Sequence, residues 1–247
     1  MRVTVVVFFI WWGLMPVLER AEGQTAGAQT KVLDTFETDP PQSFPRHWKA
    51  RGDEKTAKAI YRVAEEEGNR FLHAEAKNQD EQIGLSLAFQ PQHFPVLQWR
   101  WRVHQLPRGG DERAKATNNS AAAVYILFDS TRLPRAIKYV WSASLPVGTR
   151  IKSPEYWRAW VVVLQSGTAH SGQWQQEGVN FYQDYKEFFG VEPGEGKGIA
   201  ILTDSKATHS VAEADYDDFT LLPASATKGA ENREPTGQAA AALVGER

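Results

Sequence analysis

Phe94 opens the stretch that most restricts this chain, Phe94-Pro-Val-Leu-Gln-Trp-Arg-Trp-Arg-Val103. Read with a period of two, Leu97, Trp99, Trp101 and Val103 point one way, and Gln98, Arg100, Arg102 and His104 point the other. Two indoles two residues apart on a strand bury a large apolar area together, so that face belongs to a core. Two neighbouring guanidiniums need water or anionic partners, so the opposite face cannot be sealed in apolar packing. The stretch predicts a central strand of an antiparallel sheet with one apolar and one polar face.

The two ends of the chain differ from its middle. Arg2, the apolar run from Val3 to Leu18, and small residues at Ala21, Gly23, Ala26 and Ala28 have the layout of a secretory signal peptide over residues 1–28. The run is broken by Gly13 and Pro16 and is short for a membrane span of ~20 residues, which favours export with cleavage over an anchor. Residues 224–247 are rich in Ala, Gly, Thr, Glu and Arg with no large apolar side chain before Leu243, and they read as a disordered tail. Residues 29–223 remain as one domain, long enough for a sizeable core. The absence of cysteine excludes disulfides, thiolate chemistry and a lipobox. A net charge of −2 without a long basic block argues against nucleic acid as a partner.

Within that domain, short alternating runs are separated by turn residues. Glu66-Glu-Gly-Asn69 reads as a turn between Ile60–Val63 and Arg70–Ala76. Residues 121–128 and 136–142 are apolar on both faces, as inner strands of packed sheets are. Tyr156–Leu164, Gly198–Thr203 and Asp217–Leu222 read as further strands. Residues 180–189 alone carry helical spacing, with Phe181, Tyr185, Phe188 and Phe189 on it and Gly190 as the cap. Ten or more strands at ~10-residue spacing predict an all-β antiparallel sandwich of jelly-roll type with one short helix, a closed barrel being the other candidate.

Several blocks carry a resemblance. Phe94-Pro95, Gln98-Trp-Arg-Trp-Arg-Val103, Ala122–Phe128, Ile137-Lys-Tyr-Val-Trp-Ser142, Val161–Gly167, Gly172-Gln-Trp174, Asp184-Tyr185, Phe189-Gly190 and Ile199–Asp204 are similar to a bacterial family of exported proteins. That family is the domain of unknown function numbered 3047, and the resemblance spans roughly Leu33 to Leu222. It implies no established activity; the overall pattern is also similar, at fold level, to carbohydrate-binding jelly rolls. The chain departs from the family pattern at Asn118-Asn119, where an acidic pair is expected, at Val179-Asn180 in place of Arg-Asn, and at Ser205–Thr208 after Asp204. An acid/base or metal role at those positions in relatives would be missing here.

Candidate binding residues follow from residue type. Arg100 and Arg102 can fork onto a carboxylate or acidic sugar, or equally pair with acidic residues on neighbouring strands. Lys138 extends a basic patch if it shares their face; Tyr139 and Trp141, pointing the other way, read as core. Among the nine tryptophans, Trp48, Trp99 and Trp101 read as structural. Trp157, Trp160 and Trp174, near loop edges, are the candidates for stacking on sugar rings. Asp34 and Glu37 near the first strand, with Asp217 and Asp218 on the last, are a candidate structural calcium site if the terminal strands adjoin. Surface acidity is the competing reading.

Enzyme motifs are absent. The histidines are scattered, and no Gly-x-Ser-x-Gly turn, His-Glu-x-x-His helix or phosphate-cradling loop occurs. Asp184 and Asp204 are the acid/base candidates for a glycan hydrolase or lyase, with Glu177 and Glu187 behind them. The first reading is an exported, non-catalytic binding domain for a glycan or other envelope polymer. The alternatives are that hydrolase or lyase, and an envelope protein-interaction module.

Overall fold

The computed structural model describes residues 29–130 and 132–225. Residues 1–28 and most of the tail, to which the signal peptide and disorder readings apply, lie outside the described residues. Along the chain come β1 (Lys31–Asp34), β2 (Lys49–Ala50), α1 (Glu54–Ile60), β3 (Tyr61–Glu66), β4 (Asn69–Lys77) and β5 (Ile83–Phe89). They are followed by β6 (Val96–Gln105), β7 (Ala122–Phe128), β8 (Arg135–Ser142), β9 (Arg150–Lys152) and β10 (Ala159–Ser166). The last elements are β11 (Gln175–Val179), α2 (Phe181–Phe189), β12 (Gly196–Leu202) and β13 (Val211–Leu222).

The strands form two sheets, ordered β11-β6-β13-β4-β3 with β1 beside β13, and β2-β5-β12-β7-β8-β10-β9. Pairing is antiparallel except between β8 and β10, which run parallel. This is the predicted sandwich; the described residues form two separate sheets and no closed barrel. The tryptophan strand β6 lies inside the first sheet, between β11 and β13. Its alternation holds throughout: Leu97, Trp99, Trp101 and Val103 are buried, and Arg100 and Arg102 face outward.

An aromatic layer joins the sheets. Trp99 and Trp101 meet edge to face at 5.3 Å, and across the sandwich they contact Tyr139 at 6.0 Å and Trp141 at 6.1 Å. Both β8 aromatics are fully buried, so the period-two reading of that strand is correct, and Lys138 must point to the outer surface of the second sheet. Two of the buried indoles have acceptors: Trp101 Nε1 donates to Glu177 at 3.1 Å and Trp141 Nε1 to the Gly167 carbonyl at 3.0 Å, whereas Trp99 Nε1 has none among the described residues.

β13 is the longest strand and the first sheet's hinge of register. Ala212, Ala214 and Tyr216 face inward, but so do Phe219 and Leu221. A bulge between Asp217 and Thr220, with Asp218 at φ 55°, inserts the residue that moves the apolar positions from even to odd numbers. The turn between β3 and β4 closes on Glu67 and Gly68, both at positive φ, as a two-residue hairpin loop requires.

The helix predicted over 180–189 is α2, ended by Gly190 at φ 68°. Phe181 and Tyr185 enter the core beside Phe128. A second helix, α1, adds to the single one expected. Its capping signal is local: the Asp53 carboxylate accepts from the Lys55 and Thr56 amides, and Ala57 and Ile60 form the buried stripe. Seven residues are too few for a clear period to stand out in the sequence.

Candidate functional site

The turn from β9 into β10 builds an aromatic surface at the edge of the second sheet. The Tyr156 hydroxyl donates to the Pro134 carbonyl at 2.7 Å, and the Ala159 amide donates to the Tyr156 carbonyl at 2.8 Å. Trp157 is thereby fixed between two anchored residues while its own side chain stays 77% exposed. Trp160, on β10, stacks on Phe188 of α2 with ring centroids 4.7 Å apart and planes 10° from parallel. Together with Phe189, Arg135, Lys152 and Arg158 these residues line an open pocket of about 230 Å³.

The charges in that pocket are held against rings. Lys152 is the cross-strand partner of Trp160, and its Nζ lies 5.8 Å from the indole centre. The Arg158 guanidinium sits 5.2 Å from the Trp157 ring, and that of Arg135 lies 5.3 Å from Phe189. Arg135 also donates to the Tyr185 hydroxyl at 2.6 Å and lies 3.6 Å from Asp129. Trp157 and Trp160 are thus brought into one place; Trp174 is not.

Trp174 lies over the outward face of the first sheet, where Arg100 and Arg102 also point. Both guanidiniums sit 4.7 Å from its ring, and Phe71 meets it edge-on at 5.5 Å. Beneath, Arg100 Nη2 donates to Asp217 at 2.6 Å, and Arg102 Nη2 pairs with Asp215 at 2.8 Å and Glu66 at 2.9 Å. Asp215 also takes His73 Nδ1 at 2.8 Å and His104 Nε2 at 2.6 Å. Burial alone would raise the Asp215 carboxyl, but the hydrogen bonds from His104 and His73 prevail and hold it at about 2, and Asp215 in turn pulls His104 above its ordinary value. Of the two roles read for these arginines, cross-strand pairing is the one their contacts satisfy. Lys138 does not extend this patch, because β8 belongs to the other sheet.

Lys138 instead enters a buried polar cluster on the outer side of the second sheet, 5.7 Å from the Tyr125 ring. Glu112, Asn118, Asn119, Ser120, Ser142 and Asp204 are buried there or close by in the chain. Glu112 accepts from the Ser120 hydroxyl at 2.8 Å and the Ser142 hydroxyl at 2.6 Å. Burial raises the Asp204 carboxyl; it would lower the Lys138 ammonium, but the charges of Tyr125, Glu112 and Asp204 outweigh it and raise that group. Two of the family departures meet beside this cluster, where Asn119 Oδ1 accepts from the Thr208 amide at 2.8 Å, and Glu112, in the charged loop, is a fully buried carboxyl of it.

The two catalytic candidates do not face each other. Asp184 accepts from the Tyr139 hydroxyl at 2.7 Å, on the inner side of β8, whereas Asp204 neighbours Lys138 on the outer side. Glu177 is taken by Trp101 and Gln165, and Glu187 by Arg150. The four residues read as a calcium site lie on adjoining segments, with Asp34 opposite Phe219 across the β1–β13 pairing, but each carboxylate is engaged by other protein groups. Asp34 accepts from the Phe36 amide and the Trp48 indole, both at 2.8 Å. Glu37 accepts from the Arg70 amide, and Asp217 and Asp218 both pair with Arg100. Among the described residues no group of three or more acidic or histidine side chains is arranged to hold a cation.

A family model described as a protein of unknown function, DUF3047, matches residues 46–220. No curated protein sequence matches the chain. Among solved structures, the chain is similar to a family 11 carbohydrate-binding module from Clostridium thermocellum in complex with a mixed-linked tetrasaccharide, at TM-score 0.40 and 10% identity over 78% of this chain and 95% of that one. It is also similar to a family 30 module of a cellulosomal cellulase from the same organism, at TM-score 0.39 and 10% identity over 79% and 98% of the two chains. An adhesin domain of Lys-gingipain from Porphyromonas gingivalis W83 aligns at TM-score 0.37 and 13% identity, again over 79% and 98%.

Proposed function

This chain belongs to the DUF3047 family, and from that premise we propose that it is an exported, non-catalytic binding domain that holds a glycan in the pocket between Trp157 and Phe188. The observation that carries the reading is Trp157, exposed at 77% on an anchored turn beside the stacked Trp160–Phe188 pair. A large apolar ring held in water by rigid backbone has no role in the chain's own core. Its flat face suits the apolar face of a pyranose, and a rigid indole with only two side-chain torsions loses little conformational freedom on binding. The exposed apolar residues Leu133 and Val191 lie two positions from pocket residues Arg135 and Phe189, which extends the apolar character of this end.

Export rests on the leader-like residues 1–28, and no helix among the described residues is long and apolar enough to cross a membrane. Binding is preferred to turnover because Asp184 and Asp204 are on opposite sides of β8 and have no common space in which to flank a glycosidic bond. The test is retention of the purified chain on immobilised polysaccharides of varied composition. Wild type should be retarded by at least one of them, and Trp157→Ala should lose at least tenfold in affinity, about the 1.4 kcal/mol expected of a central aromatic contact. Equal retardation of both proteins would remove the pocket from the account.

A further inference from the structure

We infer that the ligand of this pocket is an acidic glycan, whose sugar carboxylates meet Lys152 and Arg158. The inference rests on the reading of the pocket as a glycan site and adds the chemical class of the sugar. The seven lining residues are four aromatics and three cations, with no carboxylate among them. Arg135 already has anionic and hydroxyl partners in Asp129 and Tyr185. Lys152 and Arg158 have no acidic partner among the described residues; each has only the face of an indole. This contrasts with Arg150, two residues before Lys152 on β9, which is answered by Glu187 at 2.5 Å and by Asp184 at 3.7 Å.

Arg158 adds a geometric observation. Its Nε is buried and has no hydrogen-bond acceptor. Nε itself is closed to a ligand, but the side chain is only partly buried, and a planar carboxylate is the group that fits the remaining guanidinium edge. A neutral sugar would stack on Trp157 and leave both cations unanswered. Two free cations in a chain of net charge −2 suit a polymer that presents one carboxylate per sugar, not one of high charge density, which the remainder of the surface would repel.

Isothermal titration decides the question with oligomers of galacturonate, glucuronate and mannuronate, each beside the same oligomer with its carboxyls methyl-esterified. Neutral cello- and xylo-oligomers complete the set. The proteins are the full chain, Trp157→Ala, and the double variant Lys152→Gln with Arg158→Gln, each checked for unchanged melting. The expected result is that at least one uronate binds on the order of tenfold or more tighter than its ester. The double variant should lose that preference and keep the weaker, ester-like affinity, whereas Trp157→Ala weakens acid and ester together. Equal affinity for acid and ester, or a preference that survives in the double variant, would overturn the acidic-glycan inference and leave the glycan pocket standing. Binding of none of the oligomers would overturn both.

Discussion

Asp215 is a buried carboxylate on which Arg102, His73 and His104 converge at 2.8, 2.8 and 2.6 Å, so Asp215→Asn tests the electrostatics of the first sheet in a single change. The side chain it creates is nearly isosteric, so packing under Trp174 is kept and charge is what changes. Breaking a buried ionic group by removing one partner leaves the others uncompensated, and costs ~3–5 kcal/mol when burial is complete. Arg102 retains Glu66 and is partly open to solvent, which places the expected loss near the lower end, ~3 kcal/mol at neutral pH.

The pH dependence is more specific. The Asp215 carboxyl falls from 3.8 to about 2 in the folded protein. At ~1.36 kcal/mol per pH unit that gap corresponds to roughly 2 kcal/mol. For a depressed carboxyl the stabilisation is present above the unfolded value and is lost as pH falls through the folded one, so the window runs from about pH 4 down to about pH 2. His104 shifts the opposite way: its contribution is present below the ordinary imidazole value and is lost as pH rises through the raised one. These are two aspects of one interaction and are not summed. Urea unfolding of both proteins from pH 2 to pH 9 gives the comparison. Wild type should lose that increment in acid, and also stability as pH rises through the raised His104 value; Asp215→Asn should be less stable at pH 6 and lack both dependences. A variant within 0.5 kcal/mol of wild type, or one that keeps the acid dependence, would refute the assignment.

Three further changes follow from the same structure. Trp101→Ala removes a fully buried indole from the inter-sheet layer and should cost ~3–5 kcal/mol in urea unfolding. Gly190→Ala places a side chain at φ 68° and should cost ~1 kcal/mol, read as a lowered thermal midpoint. Lys138→Met leaves Glu112 and Asp204 without a nearby ammonium; because burial already raises Asp204, the loss of stability should be larger at pH 7 than at pH 4, as paired denaturation curves would show.

What was legible in the sequence was what depends on alternation. Trp99 and Trp101 against Arg100 and Arg102 gave the faces of β6, and Tyr139 and Trp141 against Lys138 gave those of β8. The same signal ran through Glu213-Ala-Asp-Tyr-Asp217, which would have supplied the acidic partners of both arginines. It was missed because the bulge at Asp218 changes the phase and makes the strand read as if it began at Asp217. Sheet membership was not legible: no local pattern says that β6 and β8 lie in different sheets, so whether Lys138 joined the arginines stayed open. The pocket was half visible. Trp157 and Trp160 stood near a loop edge, but Lys152 and Arg158 acquire meaning only when the β9–β10 pairing and α2 bring them against Trp160, Trp157 and Phe188.

The central claim is that the exposed tryptophan surface, and no other, receives the ligand, and the indole N–H region of a nitrogen-15 correlation spectrum tests it most directly. The chain has nine tryptophans, and single Trp→Phe variants assign their signals. On titration with a glycan that retards the protein, the signals of Trp157 and Trp160 should move progressively while those of the buried Trp48, Trp99, Trp101 and Trp141 stay in place. Movement of Trp174 with Trp157 unchanged would transfer the site to the arginine face of the first sheet and contradict the account.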